Sequence, residues 1–183
     1  VGGTSGFGLS LAKKFNENHK VTVCGRRKCQ SFNSIVCDML DISESVFKVH
    51  NPDIIINNAF DKKDYIKSYQ GSLNVLKSAF SFFKSKNKGI IINVNSISGI
   101  CPDPKDPDYA AAKYALRGYS DSISAEAFQR NIKMVLLLLF MVLGIARHYH
   151  KKDTMWYLCL LRMVSHQVLG KFLQMVLVEQ TKY

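Results

Sequence analysis

The chain has 183 residues, a length that suits one domain with a sizeable hydrophobic core. Hydrophobic residues make up 47% and charged residues 21% of the sequence, which is the composition of a globular protein. The net charge is +11, but the basic residues form no dense block with interleaved aromatic residues, so the composition disfavours nucleic-acid binding.

The five cysteines show no metal-ligand spacing, and their odd number fits no disulfide framework. Reduced thiols are typical of the cytosol, so the sequence predicts a cytoplasmic protein without a metal site. The chain begins at Val1 rather than at a methionine, so we interpret it as a fragment, in which the absence of a targeting signal means little.

A glycine-rich turn opens the chain. Gly2, Gly6 and Gly8 lie close together, and apolar residues at helical spacing follow in 9–15. Glycines let the backbone approach a pyrophosphate, and the N-terminus of the next helix offers free N–H groups and positive potential. Such a turn alone is more often only a turn, but this one opens a helix and is followed by a strand. The strand that should precede it is reduced to Val1.

Strands and helices alternate along the rest of the chain. Continuous apolar runs such as Ile54–Ile56 are typical of parallel strands that are covered on both faces. The pattern predicts an α/β fold with a single doubly wound, Rossmann-like parallel sheet whose first strand is largely missing. The predicted strands are Val21–Cys24, Ile35–Cys37, Asp53–Asn57 and Gly89–Asn95, and the predicted helices are 9–15, 44–49 with Ser43 as N-cap, 63–86 and 109–129.

The end of the strand Val21–Cys24 bears on the choice of cofactor. In dinucleotide-binding folds an acidic residue here accepts the ribose hydroxyls, whereas an arginine accommodates a 2′-phosphate. Gly25 stands in the place of the acid, and Arg26 follows it. The sequence therefore favours NADP over NAD. The alternative is that Arg26 and Arg27 are two arginines on a solvated turn.

A serine, a tyrosine and a lysine form the candidate catalytic group. Ser96 follows the apolar run 89–95, so it lies at the carboxyl end of a predicted strand, where ligands bind in open α/β sheets. Tyr109 and Lys113 are four residues apart on a predicted helix and therefore lie on one face. We expect the Lys113 ammonium to lower the pKa of the Tyr109 phenol, so that the phenol can exchange a proton with a substrate oxygen. Ser98 is an alternative to Ser96.

Together these motifs resemble the short-chain dehydrogenase/reductase family, over residues 1 to about 133. The resemblance implies hydride transfer between a nicotinamide and a small alcohol or carbonyl substrate, and a homo-oligomer. It implies that Tyr109 is the general acid/base, that Ser96 orients the substrate oxygen, and that Lys113 tunes the tyrosine and binds the nicotinamide ribose. The matching segments are Gly2–Gly8, Asp38, Asn57–Ala59, Asn95–Gly99 and Tyr109–Gly118. The candidate cofactor-binding residues are Gly2, Thr4, Ser5, Gly6, Phe7, Gly8, Arg26, Asp38, Asn57, Ala59, Tyr109 and Lys113.

Asp38 matches the position whose carboxylate contacts the adenine, and Asn57 and Ala59 match the strand end against which the cofactor rests. Two residues depart from the family pattern: Phe60 replaces a glycine, and Ser68 stands where the family has a catalytic asparagine. The link from Asn57 to the next helix is also short. These departures leave open an alternative from another class, a catalytically impaired dinucleotide-binding protein that acts as a sensor or scaffold.

The C-terminal quarter departs further. We expect one dinucleotide-binding domain over residues 1–183, with a family-like core in 1–133 and a divergent segment in 134–183. The apolar run 134–146 is shorter than the roughly 20 residues of a membrane span and is interpreted as a buried strand that continues into irregular structure. Residues 155–178 have the spacing of an amphipathic helix, which packs on the sheet, pairs with another subunit or lies on a membrane surface, in that order of preference.

Overall fold

A computed structural model describes residues 1–61 and 63–139, which lie within one compact unit. Helices and strands alternate as the sequence predicts. Their bounds are α1 Gly6–Phe15, β1 Thr22–Gly25, β2 Asn33–Val36, α2 Glu44–His50, β3 Ile54–Asn57, α3 Tyr65–Lys86, β4 Gly89–Ser96, a short 3₁₀ turn Ile97–Gly99, α4 Pro107–Gln129 and β5 Ile132–Leu139.

All the strands pair in parallel, in the two groups β1–β2 and β3–β4–β5. The first two residues of the chain bridge the groups. The backbone N–H of Gly2 donates to the Cys24 carbonyl at 2.7 Å, and the Val1 nitrogen donates to the Ile56 carbonyl at 2.7 Å. Val1 thus occupies the position of a strand between β1 and β3. The predicted Rossmann-like α/β fold is confirmed, including a first strand that is reduced to Val1.

The interior is built from the isoleucine-rich strands and the helices that cover them. Ile91 in β4, Leu76 and Phe83 in α3, and Leu116 in α4 are all at most 2% exposed. Because a parallel strand is covered on both faces, a continuous apolar run of this kind buries nearly every side chain. The chain between β4 and α4 is therefore held at the carboxyl end of the sheet, above a packed core.

Helix α4 begins two residues earlier than the sequence predicts. Its N-cap is Asp106, whose Oδ1 accepts the backbone N–H of Tyr109 at 3.2 Å, and Pro107 takes the first helical position. Both residues are typical of helix starts, since a short acid satisfies a free N–H and proline has none to satisfy. The cap fixes Tyr109 in the first turn of the helix.

Several predictions from the sequence fall on residues outside the described part of the chain. These are the helix in 155–178 and the end of the apolar run 134–146. Within the described residues, no helix is long and apolar enough to cross a bilayer. In the same residues, no group of three or more His, Cys, Asp or Glu side chains could hold a metal ion.

Candidate active site

The glycine turn leads directly into α1 and forms a cradle of backbone. Gly2 has a φ of 78°, and a Cβ there would lie 2.6 Å from the Ala59 nitrogen. A Cβ at Gly8 would overlap the Gly2 carbonyl, whereas at Gly6, with a φ of 53°, it would meet open space. A larger residue at Gly2 would clash with Ala59 after β3, and one at Gly8 would clash with the Gly2 carbonyl.

The N-terminus of α1 is open as well. The N-cap residue, Ser5, makes no side-chain hydrogen bond to the first turn, and that turn contains no acidic residue. Free N–H groups and a positive helix end fit a pyrophosphate. The side chains of Thr4 and Phe7 belong to the same turn. These residues therefore fit the diphosphate part of a dinucleotide.

The end of β1 lacks a carboxylate for a physical reason. A Cβ at Gly25 would lie 2.7 Å from the Thr4 hydroxyl, so the space is already filled. Arg26, the next residue, is not a free cation: its Nη2 lies 3.3 Å from Oδ2 of Asp61. Arg26 and Arg27 are both exposed on a bend, which fits the alternative of a solvated turn, and the ion pair ties Arg26 to the loop after β3.

The other predicted cofactor residues lie at the same edge but in different settings. Asp38 is half-buried and its Oδ1 accepts the Leu40 backbone N–H at 3.1 Å. The Asn57 side chain turns into the core, where Nδ2 donates to the Ser72 carbonyl and to Asn93 Oδ1, both at 2.9 Å. Asn57 can therefore face a ligand only through its backbone.

Ser96 and Tyr109 come together at the end of β4. Burial raises the pKa of the Tyr109 phenol, the nearby Ser96 hydroxyl lowers it by a smaller amount, and the carboxylates of Asp106 and Asp103 raise it further. The net pKa of Tyr109 is raised. The Ser96 hydroxyl itself donates to Ser98 Oγ at 3.3 Å. Ser98, the alternative serine, instead donates to Asp103 Oδ2 at 3.0 Å. The arrangement favours Ser96 over Ser98 as the partner of Tyr109.

The predicted lowering of the Tyr109 pKa by Lys113 is wrong in this structure. Lys113 lies one turn along α4, as expected, but its Nζ lies over ring faces rather than beside the phenolic oxygen. It is 4.0 Å from the centroid of Phe60 and 5.7 Å from that of Tyr109. The Lys113 nitrogen also donates to the Val94 carbonyl at 3.3 Å, and burial lowers its pKa to about 8.

The two departures from the family pattern are close together. Phe60 lies in the loop between β3 and α3, and Ser68 lies in α3 and holds this loop. Phe60 forms an aromatic cluster with Tyr65 and Tyr109, with ring centroids 5.3 to 6.0 Å apart. Ser68 is fully buried, and its hydroxyl accepts the Asp61 backbone N–H at 2.6 Å and donates to the Asp61 carbonyl at 2.8 Å. The Ser68 hydroxyl is therefore committed to holding this loop.

Two further groups support the site, and sequence reasoning did not assign them this role. Asn95 Nδ2 donates to the Lys113 carbonyl at 3.2 Å, and Asn95 Oδ1 accepts the Ser96 backbone N–H at 2.8 Å. Asp106, besides capping α4, accepts the Tyr65 hydroxyl at 2.6 Å. The sequence signals were an asparagine next to Ser96 and an acid just before Pro107.

Comparison with known proteins agrees with this geometry. A family model described as short chain dehydrogenase matches residues 1–149. The 3-ketodihydrosphingosine reductase of Bacteroides thetaiotaomicron is 24% identical over 162 residues, which cover 75% of this chain and 60% of that protein. The chain therefore spans about 60% of this relative's length.

Two solved structures have the same fold. The gluconate 5-dehydrogenase from Burkholderia cenocepacia, in complex with NADP and tartrate, has a TM-score of 0.65 at 21% identity and covers 75% of this chain and 68% of its own. A 4-hydroxyisoleucine dehydrogenase complexed with NADH has a TM-score of 0.59 at 21% identity, with 72% and 69% covered. At this identity the likeness concerns the fold.

Proposed function

The chain belongs to the short-chain dehydrogenase family, and from that premise we propose that it is an NADP-preferring oxidoreductase acting on a small alcohol or carbonyl compound. The observation that carries the proposal is the placement of Ser96 at the carboxyl end of β4, close to Tyr109 in the first turn of α4. Two neighbouring hydroxyl groups can both donate a hydrogen bond to one substrate oxygen. The buried ammonium of Lys113 lies one helical turn away.

The residues present fit a dinucleotide at the diphosphate end. The turn Gly2–Gly8 and the N-terminus of α1 would hold the diphosphate, Asp38 would face the adenine, and the backbone at Asn57 and Ala59 would line the edge of the sheet. When bound, the nicotinamide supplies the hydride chemistry. Lys113 would donate hydrogen bonds to the nicotinamide ribose.

Tyr109 donates the proton that the reduction needs, and Ser96 positions the oxygen that receives it. A raised pKa keeps the Tyr109 phenol protonated at neutral pH, so it is ready to donate a proton to a carbonyl oxygen as that carbon is reduced. The Ser96 hydroxyl donates a hydrogen bond to the same oxygen and holds it beside the phenol. In the reverse direction the phenolate is needed, and alcohol oxidation requires a higher pH.

The preference for NADP rests on the end of β1. Thr4 fills the space beside Gly25, where a carboxylate would accept the 2′-hydroxyl. The Arg26 guanidinium lies next to this position and is 65% exposed, so it can turn towards a 2′-phosphate. Because Asp61 holds Arg26 in an ion pair, the phosphate must compete with that carboxylate.

A second candidate function is a cofactor-binding sensor or scaffold without turnover. It is favoured by one observation, the contact of the Phe60 ring with the Lys113 ammonium at 4.0 Å. The ring covers part of the ammonium to which the ribose hydroxyls would bond. If the ring keeps the nicotinamide from its catalytic position, the chain binds the cofactor without passing a hydride.

The test is a pair of measurements on the whole chain. We expect NADPH to bind more tightly than NADH in a fluorescence titration, and a panel of small aldehydes and ketones to be reduced by deuterium-labelled NADPH with the label on the product carbon. Binding without label transfer to any compound would favour the sensor. Failure of both nucleotides to bind would overturn the proposal.

A further inference from the structure

The ring of Phe60 covers the Lys113 ammonium. Lys113 Nζ is 4.0 Å from the Phe60 ring centroid, and Tyr109 holds that ring in an edge-to-face contact at 5.3 Å and 85°. Tyr65 is a second aromatic neighbour, with its ring centroid 6.0 Å from that of Phe60. Phe60 is half-buried, whereas Lys113 is 5% exposed. The ring thus contributes to shielding the ammonium from solvent.

Among the described residues the ammonium has few other partners. There its one hydrogen bond is to the Val94 carbonyl at 3.3 Å, and no ion pair includes Lys113. A desolvated cation over the face of an aromatic ring is stabilised more than an exposed one. The Phe60 ring is therefore a substantial part of what stabilises this buried charge.

The backbone on both sides of Phe60 is anchored to α3. The Ala59 carbonyl accepts the Ser72 hydroxyl at 2.9 Å, and the N–H and carbonyl of Asp61 both bond to the Ser68 hydroxyl. The loop is thus fixed one residue before and one residue after Phe60. Movement of the ring away from Lys113 would occur by rotation of the side chain rather than by shift of the loop.

We propose that Phe60 competes with the nicotinamide ribose for the Lys113 ammonium, so that the cofactor binds only when the Phe60 ring rotates away. A ribose hydroxyl must come within about 3 Å of Nζ to accept its hydrogen bond. The Phe60 ring, 4.0 Å from Nζ, takes up space around the ammonium that an approaching hydroxyl would need. Phe60 therefore weakens cofactor binding, and this inference rests on the proposed function because it takes Lys113 as a ribose ligand.

The experiment measures the NADPH dissociation constant of Phe60→Ala and Phe60→Leu by fluorescence titration. Phe60→Ala removes the cover and is expected to tighten binding about tenfold, the size of a desolvated cation–π contact. Phe60→Leu keeps much of the side-chain volume but has no aromatic face, so its gain in NADPH affinity should be intermediate. It can replace the alanine variant if that variant folds poorly. Phe128→Ala is the matched control, since Phe128 lies on α4 and is 85% exposed.

A second background tests whether Phe60 acts through Lys113. In Lys113→Met there is no ammonium to uncover, so adding Phe60→Ala should change the NADPH dissociation constant far less than in the wild type. NMR gives an independent reading. The protons next to the Lys113 nitrogen should be shifted upfield by the Phe60 ring in the cofactor-free chain. The shift should disappear in Phe60→Leu and when NADPH saturates the wild type.

The outcomes separate the two proposals. Equal NADPH affinity in the wild type and Phe60→Ala, or an equal gain in the Lys113→Met background, would overturn the role of Phe60 and leave the proposed function standing. NADPH binding by the wild type that becomes tighter in Phe60→Ala, with no such gain in the Lys113→Met background, would support both. No NADPH binding by any variant would overturn both.

Discussion

The side chain of Asn95 links the carboxyl end of β4 to Lys113 in α4. Its Nδ2 donates to the Lys113 carbonyl at 3.2 Å, and its Oδ1 accepts the backbone N–H of Ser96 at 2.8 Å. Asn95 is 1% exposed, and Gly99 leaves room for it, since a Cβ there would lie 2.7 Å from the amide oxygen. One buried amide thus sets the distance between the serine and the lysine of the site.

We predict that Asn95→Ala lowers kcat by about tenfold or more and destabilises the fold by about 1–3 kcal/mol, because it leaves buried polar groups unpaired. The matched control is Asn93→Ala. Asn93 is equally buried but bonds Asn57 and Ser120, away from the catalytic group. Asn93→Ala should lower the free energy of unfolding about as much as Asn95→Ala does, but it should lower kcat less. Equal losses of kcat in the two variants would show that Asn95 has no special role in positioning the site.

The pKa of Tyr109 predicts how the two reaction directions depend on pH. Burial raises this pKa, so reduction should proceed at neutral pH, while alcohol oxidation should increase as the pH rises towards the range in which the phenol ionises. Ser96→Ala removes the hydroxyl that lowers the pKa of Tyr109, and Asp103→Asn removes a charge that raises it. The phenolate titration, measured as the absorbance difference from Tyr109→Phe, should move up in the first variant and down in the second. Shifts in the same direction would contradict the assignment.

Lys113 should make the stability of the protein depend on pH. Burial lowers its pKa from 10.5 to about 8, so the ammonium is penalised in the folded state below about pH 8, and the penalty disappears as the pH rises to 10.5. Lys113→Met should therefore be more stable than the wild type at neutral pH, by up to about 3 kcal/mol. This advantage should shrink at higher pH. Chemical denaturation at both pH values is the measurement.

The control for this experiment is Lys105→Met, which removes an exposed lysine. Its difference from the wild type should be small and should not change across the same pH range. If Lys113→Met behaves like the control, the ammonium carries no burial penalty.

The ion pair between Arg26 and Asp61 predicts a simple change in cofactor preference. Asp61→Asn removes the carboxylate 3.3 Å from Arg26 Nη2, which frees the guanidinium for a 2′-phosphate. NADPH binding should tighten several-fold while NADH binding changes little. Arg26→Asp should shift the preference towards NADH, and the same change at the neighbouring Arg27 is the control. An unchanged ratio of NADPH to NADH affinity in both Asp61→Asn and Arg26→Asp would contradict the assignment.

The elements of the fold could be predicted because their signals are local. The isoleucine run before Asn57 and the one after Gly89 form β3 and β4, and the helix that the sequence begins at Tyr109 is α4. The meeting of Ser96 with Tyr109 also follows, because a residue at a parallel strand end lies at the same edge as the start of the next helix.

The electrostatics of the site could not be predicted in this way. A spacing of four residues places Tyr109 and Lys113 on one helix face, but it does not fix whether the ammonium lies beside the phenolic oxygen or over a ring. Phe60 decides this, and it lies in a loop without periodicity. Arg26 likewise has its partner, Asp61, 35 residues away in the same loop. The cytoplasmic location, the homo-oligomer and the single domain over 1–183 stay predictions.

The replacement of Tyr109 by phenylalanine tests the central claim most directly, because it removes one oxygen and leaves the ring contacts with Phe60 and Tyr65. Turnover of NADPH with a carbonyl substrate should fall at least about a hundredfold, while the NADPH dissociation constant stays within about twofold. Tyr114→Phe, which alters a 39% exposed tyrosine on the same helix, should leave turnover unchanged. Retained turnover in Tyr109→Phe would contradict the assignment of Tyr109 as the proton donor.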